Sequence, residues 1–165
     1  MRIACTMSPG RGSTDLVMQE AVARLMARGL RLAGTVQTNS ERAGDPRCDM
    51  DVQVLPAGPV FRISQDLGRD ARGCRLDPEG LEAAVAAVLA GMAAGRPDLL
   101  VVNKFGKHEC LGRGFRPVIA EAVAEGIPVL VGVNALNLPE LQAFVGDGLS
   151  VLPPDPEAVL RWLAD

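Results

Sequence analysis

MSPGRGSTDLVM, residues 7–18, follows a short apolar run, Ile3-Ala4-Cys5, and its reading decides the fold. Ser8-Pro9-Gly10 ends the extended run, because proline lacks a donor and glycine tolerates sharp turns. Beyond it, Leu16, Val17, Ala21, Val22, Leu25 and Met26 recur at helical spacing. The spacing predicts a helix over 14–28, capped by Ser13 or Thr14 and ended by Gly29. A strand, a glycine-rich turn and a helix in that order form the opening unit of an α/β domain.

The same alternation continues along the chain. Residues 30–38 read as a second strand and Asn39 to Arg47 as an exposed polar loop. Met50, Val52 and Val54 alternate with Asp51 and Gln53, which predicts a half-buried strand, with 60–64 returning as its antiparallel partner. Asp77-Pro78 opens a helix to about residue 94. DLLVVNKF, residues 98–105, begins as a continuous apolar strand of the kind buried on both faces. Helices over 115–125, 139–145 and 156–163 and strands over 128–133 and 149–152 complete the pattern. The expected fold is a three-layer α/β domain over 1–165, with a mainly parallel sheet and a hairpin-like insert around 48–64. Ligands of such sheets bind beyond the carboxyl ends of the strands. This directs attention to residues 7–14, 103–110 and 134–138.

Composition narrows the function classes. The chain has 165 residues, 48% hydrophobic and 22% charged, with four Phe, one Trp and no Tyr. Ala, Val and Leu must therefore build the core. The net charge of −3 gives no global attraction to nucleic acid or to an anionic membrane. The longest apolar run, 83–94, is too short to span a bilayer. No secretory or transit pattern precedes the first strand, so a cytoplasmic protein is expected. Cys5 reads as a small buried hydrophobe. Cys48, Cys74 and Cys110 have no paired spacing, and their convergence with His108 on a metal is left open.

The turn after the first strand is close to the phosphate-binding pattern G-x-x-x-x-G-K-[ST]. The eight positions here are Met7, Ser8, Pro9, Gly10, Arg11, Gly12, Ser13 and Thr14. Gly12 and Thr14 are in place; Met7 replaces the first glycine and Ser13 replaces the lysine. Gly10 and Gly12 allow backbone N–H groups to turn toward a ligand, and the helix start adds its positive end. The missing lysine is the group that reaches the outer phosphates during phosphoryl transfer. Arg11 is the loop's remaining cation, and Asp15 adds an opposing charge.

The second informative loop is NKFGKHE, residues 103–109. A strand in this position normally ends in an acid that holds Mg²⁺. Here Asn103 and Lys104 stand at that end, with Lys107 close behind. Fixed cations at Arg11, Lys104 and Lys107 could neutralise an anion without metal. His108 and Glu109 are the nearby acid/base candidates. The loop over 66–77 carries Arg69, Arg72 and Arg75, offset by Asp66, Asp70 and Asp77. It reads either as an arginine lid or as a solvated loop. Asn134 and Asn137 contact a ligand edge or cap the next turn.

SPGRGSTD after the first strand, with LLVVNKFGKHE before FRPVIAEAVAEGIPVLVGV, resembles a bacterial P-loop-like family of unknown function. That family is related to small nucleoside-triphosphatases and is often described beside molybdenum-transport genes. The resemblance covers residues 2 to about 133. Pro9, Gly10, Gly12 and Thr14 match the relatives' loop, and Gly106 and Glu109 match their later G-x-x-E. Ser13, Asn103 and Lys104 depart from it. The resemblance implies a P-loop-NTPase-like fold and a nucleotide, with or without Mg²⁺, as ligand. Two functions follow. One is a degenerate P-loop protein that binds a nucleoside phosphate with weak or absent hydrolysis. The other is a binding or regulatory protein for molybdate, sulfate or phosphate. The expected partner is a small anion or nucleotide, not nucleic acid or membrane, with an oligomer left open.

Overall fold

The computed structural model describes all residues except 69, 71, 73 and 74. Expectations that rest on Arg69 and Cys74 therefore lie outside the described residues. The elements are β1 (Ile3–Thr6), α1 (Ser13–Ala27), β2 (Leu32–Arg42), β3 (Asp45–Val54), β4 (Val60–Arg62), α2 (Pro78–Ala94), β5 (Leu99–Phe105), α3 (Lys107–Cys110), α4 (Arg116–Ala124), β6 (Val129–Val133), α5 (Leu138–Val145), β7 (Leu149–Leu152) and α6 (Pro156–Ala164).

Seven strands form one sheet in the order β4-β3-β2-β5-β6-β1-β7. The five strands from β2 to β7 in that order are parallel, and β3 and β4 add an antiparallel edge. The expected mainly parallel α/β sheet is therefore what the chain builds. Helices cover both faces. Met18, Ala21, Val22 and Leu25 of α1 pack with Val159 and Leu160 of α6 against Ala4, Leu99, Val101 and Leu130. Leu81, Val85 and Val88 of α2, Val118 and Ile119 of α4 and Leu141 of α5 cover Cys5, Leu100, Val102 and Val131. Adjacent residues of β5 thus enter opposite cores, as a strand period of two requires. Full burial of β5 and β6 explains their unbroken apolar runs.

One part of the sequence reading is corrected. The stretch 39–47 is no loop but the far half of a long hairpin, with β2 and β3 joined by Ala43-Gly44. Charge pairs hold these polar residues extended: Arg42 of β2 meets Asp49 of β3 across the strands at 2.6 Å, and Arg47 meets Asp45 within β3 at 2.8 Å. The short helix α3, just after β5, was also absent from the sequence reading.

The approach of β2 to β5 depends on one glycine. Gly34 has φ +106°, and a Cβ there would lie 1.8 Å from the Val101 carbonyl oxygen. Gly34→Ala is expected to cost more than about 4 kcal/mol, because both the backbone conformation and the strand spacing must give. Urea denaturation of the purified variant checks this. A loss below about 1 kcal/mol would refute the stated role of the close approach.

Candidate functional site

The β1–α1 loop is shaped by its glycines. Gly10 (φ 98°) and Gly12 (φ 77°) take left-handed conformations. Gly12, not Ser13 or Thr14, is the N-cap of α1, and no side chain caps the helix. The Thr14 hydroxyl instead accepts from the Ser8 N–H at 2.9 Å, folding the loop back on the helix. Ser13 N–H bonds the Gly10 carbonyl at 3.4 Å. The amides of Gly10, Arg11, Gly12, Thr14 and Asp15 have no acceptor among the described residues. The start of this 15-residue helix therefore offers a set of free donors.

The helix start meets β5 through Asp15, which is 1% exposed. Strand β6 stands between β1 and β5, and its Gly132 lies beside both Asn103 and Thr14. A Cβ at Gly132 would lie 3.2 Å from Asn103 Oδ1 and 3.4 Å from Thr14 Cγ2. The β5–β6 register also shifts between Asn103 and Phe105. Strict alternation would put Phe105 on the side of Leu99 and Val101. After the shift it lies with Leu100 and Val102 in the other core. Asn103 and Lys104 both meet Asp15 across this irregularity.

The result is a buried polar network. Lys104 Nζ lies 3.2 Å from Asp15 Oδ1. Asn39 Nδ2 donates to Asp15 Oδ2 at 2.7 Å. Asn103, with its amide oriented to satisfy both neighbours, donates to Asp15 Oδ1 at 2.9 Å and accepts from the Gln37 N–H at 3.0 Å. Gln37 in turn donates to Asn39 at 2.9 Å, and Gln19 of α1 donates to the Gln37 carbonyl at 2.6 Å. Asp15 is thus the charge that Lys104 neutralises. The sequence reading treated it only as an opposing charge on the loop. Its signal was its place in the first turn of α1, where carboxylates are favoured and a buried one needs a partner.

A cavity of about 520 Å³ opens beside this network. It is lined by Arg11, Gly12 and Asp15 of the loop and helix start, Lys104 of β5, the hairpin residues Gln37, Asn39, Glu41, Cys48 and Met50, and Arg75. Of the expected site residues, Arg11, Gly12 and Lys104 converge here. Pro9, Gly10, Ser13 and Thr14 build the loop, and Asn103 lies beneath it. Lys107 is exposed on α3 and does not line the cavity. His108 faces Glu82 of α2, with Nε2 3.4 Å from Oε1. Glu109 is 2% exposed, and its oxygens accept from the amides of Gly106 at 2.9 Å and Phe115 at 3.2 Å. That carboxyl holds the turn after β5. Gln37, Asn39 and Glu41 were not foreseen; of the arginines in the 66–77 loop, Arg75 lines the cavity. Asn137 donates through its amide to Asn134 Oδ1, so these two form a turn. No group of three or more His, Cys, Asp or Glu able to hold a metal ion exists among the described residues. No helix among them is long and apolar enough to cross a membrane.

A parallel sheet with a glycine-rich loop between β1 and α1 defines a P-loop-NTPase-like α/β protein, here with Ser13 at the lysine position. The chain belongs to the family described as "Protein of unknown function (DUF2478)", whose pattern matches residues 3–162. It is similar over 164 residues, at 32% identity, to the "Molybdenum import ATP-binding protein ModC 2" of Bradyrhizobium diazoefficiens. The match covers 99% of this chain and 18% of that relative's length. Two solved structures share the fold. The crystal structure of THEP1 from the hyperthermophile Aquifex aeolicus superposes with a TM-score of 0.64 at 17% identity, covering 100% of this chain and 96% of that one. The solution structure of a human cancer-related nucleoside triphosphatase gives 0.60 at 19%, covering 91% and 86%.

Two outcomes test this geometry. Lys104→Met strips Asp15 of its cation and should cost about 2 kcal/mol, below the buried-pair range because a third of the Lys104 side chain is exposed. Adding Asp15→Asn should restore most of the loss, and denaturation of the four proteins gives the coupling. A coupling near zero would mean the pair contributes nothing. Glu109 gives a second test through pH. Burial pushes its pKa up, outweighing the amides of Gly106 and Phe115. The folded form therefore holds the proton more tightly than the unfolded chain, whose value is about 4.3. This contribution is full below about pH 4 and is lost as pH rises through the folded value. The stability of the wild type minus that of Glu109→Gln should fall as pH rises above about 4, and a rising difference would reverse the assignment.

Proposed function

We infer that the chain binds the phosphates of a nucleoside phosphate at Gly10–Thr14 and hydrolyses it weakly or not at all. The unbonded amides at the start of α1 carry this reading. They are the kind of donors that hold a phosphate at a helix start, and Arg11 adds a cation that forms no ion pair among the described residues. The ATP-binding name of the 32%-identical relative supports a nucleotide as ligand, and the fold is shared with a human nucleoside triphosphatase.

The same geometry argues against efficient turnover. Ser13 brings no ammonium to the outer phosphates. Asn103 and Lys104 occupy the strand end where an acid would hold Mg²⁺. Lys104 is already committed to Asp15, and both oxygens of Glu109 are bonded to backbone. Such a site holds a nucleotide as a signal or structural ligand.

The alternative is an inorganic oxyanion at the same amides, toward which the molybdenum-import name of the relative points. Calorimetric titration separates the two. ATP or ADP is expected to bind with a Kd of tens of micromolar or tighter, about −6 kcal/mol, and molybdate, sulfate and phosphate at least about a hundredfold more weakly. Arg11→Gln should weaken the nucleotide about tenfold, or about 1.4 kcal/mol. Phosphate release with Mg²⁺ should stay below about 0.01 per second, against roughly 1–10³ per second for common enzymes. Molybdate binding tighter than ATP would replace the first reading with the second. Silence from every ligand would end both.

A further inference from the structure

The cavity beside the loop holds charge that the loop does not explain. The β2–β3–β4 edge is rich in arginine, and most of it is neutralised in place. Arg42 pairs with Asp49 and Asp66, Arg47 with Asp45, and Arg62 with Asp49 and Asp51. Arg75 differs. Its Nε donates to the Gln65 carbonyl at 3.1 Å and its Nη1 to the Cys48 carbonyl at 3.1 Å, so the guanidinium is fixed by neutral acceptors. It forms no ion pair among the described residues. Arg11, which lines the same cavity, forms none either.

The other charges of the lining leave a positive balance. Asp15 and Lys104 cancel each other at 3.2 Å. Glu41 contributes one negative charge against the two guanidiniums. At about 520 Å³ the cavity suits a small organic molecule and exceeds what a lone inorganic oxyanion fills. Its walls mix the amides of Gln37 and Asn39 with the softer surfaces of Cys48 and Met50, which lie two residues apart on β3 and pair with Glu41 and Asn39 of β2.

We propose that this cavity is a second binding site, for a small organic anion bearing carboxylate or phosphate groups, gripped between Arg11 and Arg75. The site does not require a nucleotide on the loop. Arg11 belongs to both places, so occupancy of one alters affinity at the other. Arg75 is the anchor, because two carbonyls already hold its guanidinium and little side-chain entropy is lost on binding. The amides read the polar body of the ligand, and Glu41 excludes ligands with excess negative charge on that side.

Calorimetry with citrate and with 3-phosphoglycerate tests the proposal at low salt. At least one of these probes should bind saturably with a Kd below about 1 mM. Arg75→Lys keeps the charge but loses the fixed fork, and should weaken that probe at least fivefold. Cys48→Phe fills the cavity and should abolish binding. Each variant is used only if its melting temperature stays close to that of the parent, and Met50→Phe replaces Cys48→Phe if that variant unfolds. Gly10→Ala strains the phosphate loop at φ 98° and should leave the probe bound while nucleotide is lost. No saturable heat from either probe overturns the proposal, even if ATP still binds the loop. Equal binding by the cavity-filled variant also overturns it. Loss of the probe together with nucleotide in Gly10→Ala would show one site and not two. Binding of the probe with no nucleotide binding in the parent would leave this site standing and remove the loop reading.

Discussion

The fold's functional end turns on a single buried contact, the Asp15 carboxylate with the Lys104 ammonium. A carboxylate that is 1% exposed in the first turn of α1 cannot persist without a partner. The helix start already favours a negative charge there, and its free amides lower the cost of that charge. Lys104 supplies the rest. The pair therefore sets what the surroundings must be. A glycine is needed at 132 because a Cβ there would crowd Asn103 at 3.2 Å. The register shift after Asn103 is needed so that two consecutive residues of β5 reach the same acceptor. Asn39 must come from the far half of β2, which explains why that strand extends beyond the parallel core.

This arrangement also inverts the usual division of charge at a phosphate loop. In the common pattern a lysine on the loop helix faces phosphate, and an acid on a neighbouring strand faces metal. Here the helix carries the acid and the strand carries the lysine. The two signs have exchanged places, and the charges satisfy each other instead of a metal-bound triphosphate. The loop keeps the part of the machinery that comes from backbone, namely glycine conformations and amides. It has lost the part that comes from side chains. Backbone donors bind phosphate; side-chain charge and metal stabilise its transfer. On the proposed reading, a protein that retains the first and lacks the second holds a nucleotide without efficient turnover.

The sequence made the parallel core legible because burial on both faces writes itself as apolar runs. Leu99 to Val102 and Val129 to Val133 are such runs, and Asp77-Pro78 marked the start of α2 because a cap and a first-turn proline have fixed chemistry. The hairpin over 39–47 was illegible because its pairing rests on charges that read as solvated until Asp49 is placed opposite Arg42. The loop's location was legible, since glycine and hydroxyl spacing is local. Its cap was misassigned because Thr14 turns back to Ser8 instead of covering the helix end. The Asp15 network was hidden for a different reason. It joins α1, β2 and β5, residues 15, 39, 103 and 104, and no local pattern encodes which of them meet.

The cavity follows from this long-range assembly. The β2–β3 hairpin projects past the sheet because its aspartates and arginines neutralise one another, and its projection supplies a wall of the cavity. Asp15 has drawn Lys104 inward, so Arg11 and Arg75 remain as the cavity's cations outside any ion pair among the described residues, set against the single lining carboxylate of Glu41. A guanidinium pinned by two carbonyl oxygens keeps its full charge and its orientation, which is what carboxylate and phosphate recognition requires. Had Arg75 met one of the hairpin's aspartates, as Arg42, Arg47 and Arg62 do, that wall would be electrically spent. The exception among four arginines is therefore the feature that gives this edge of the sheet a use beyond its own stability.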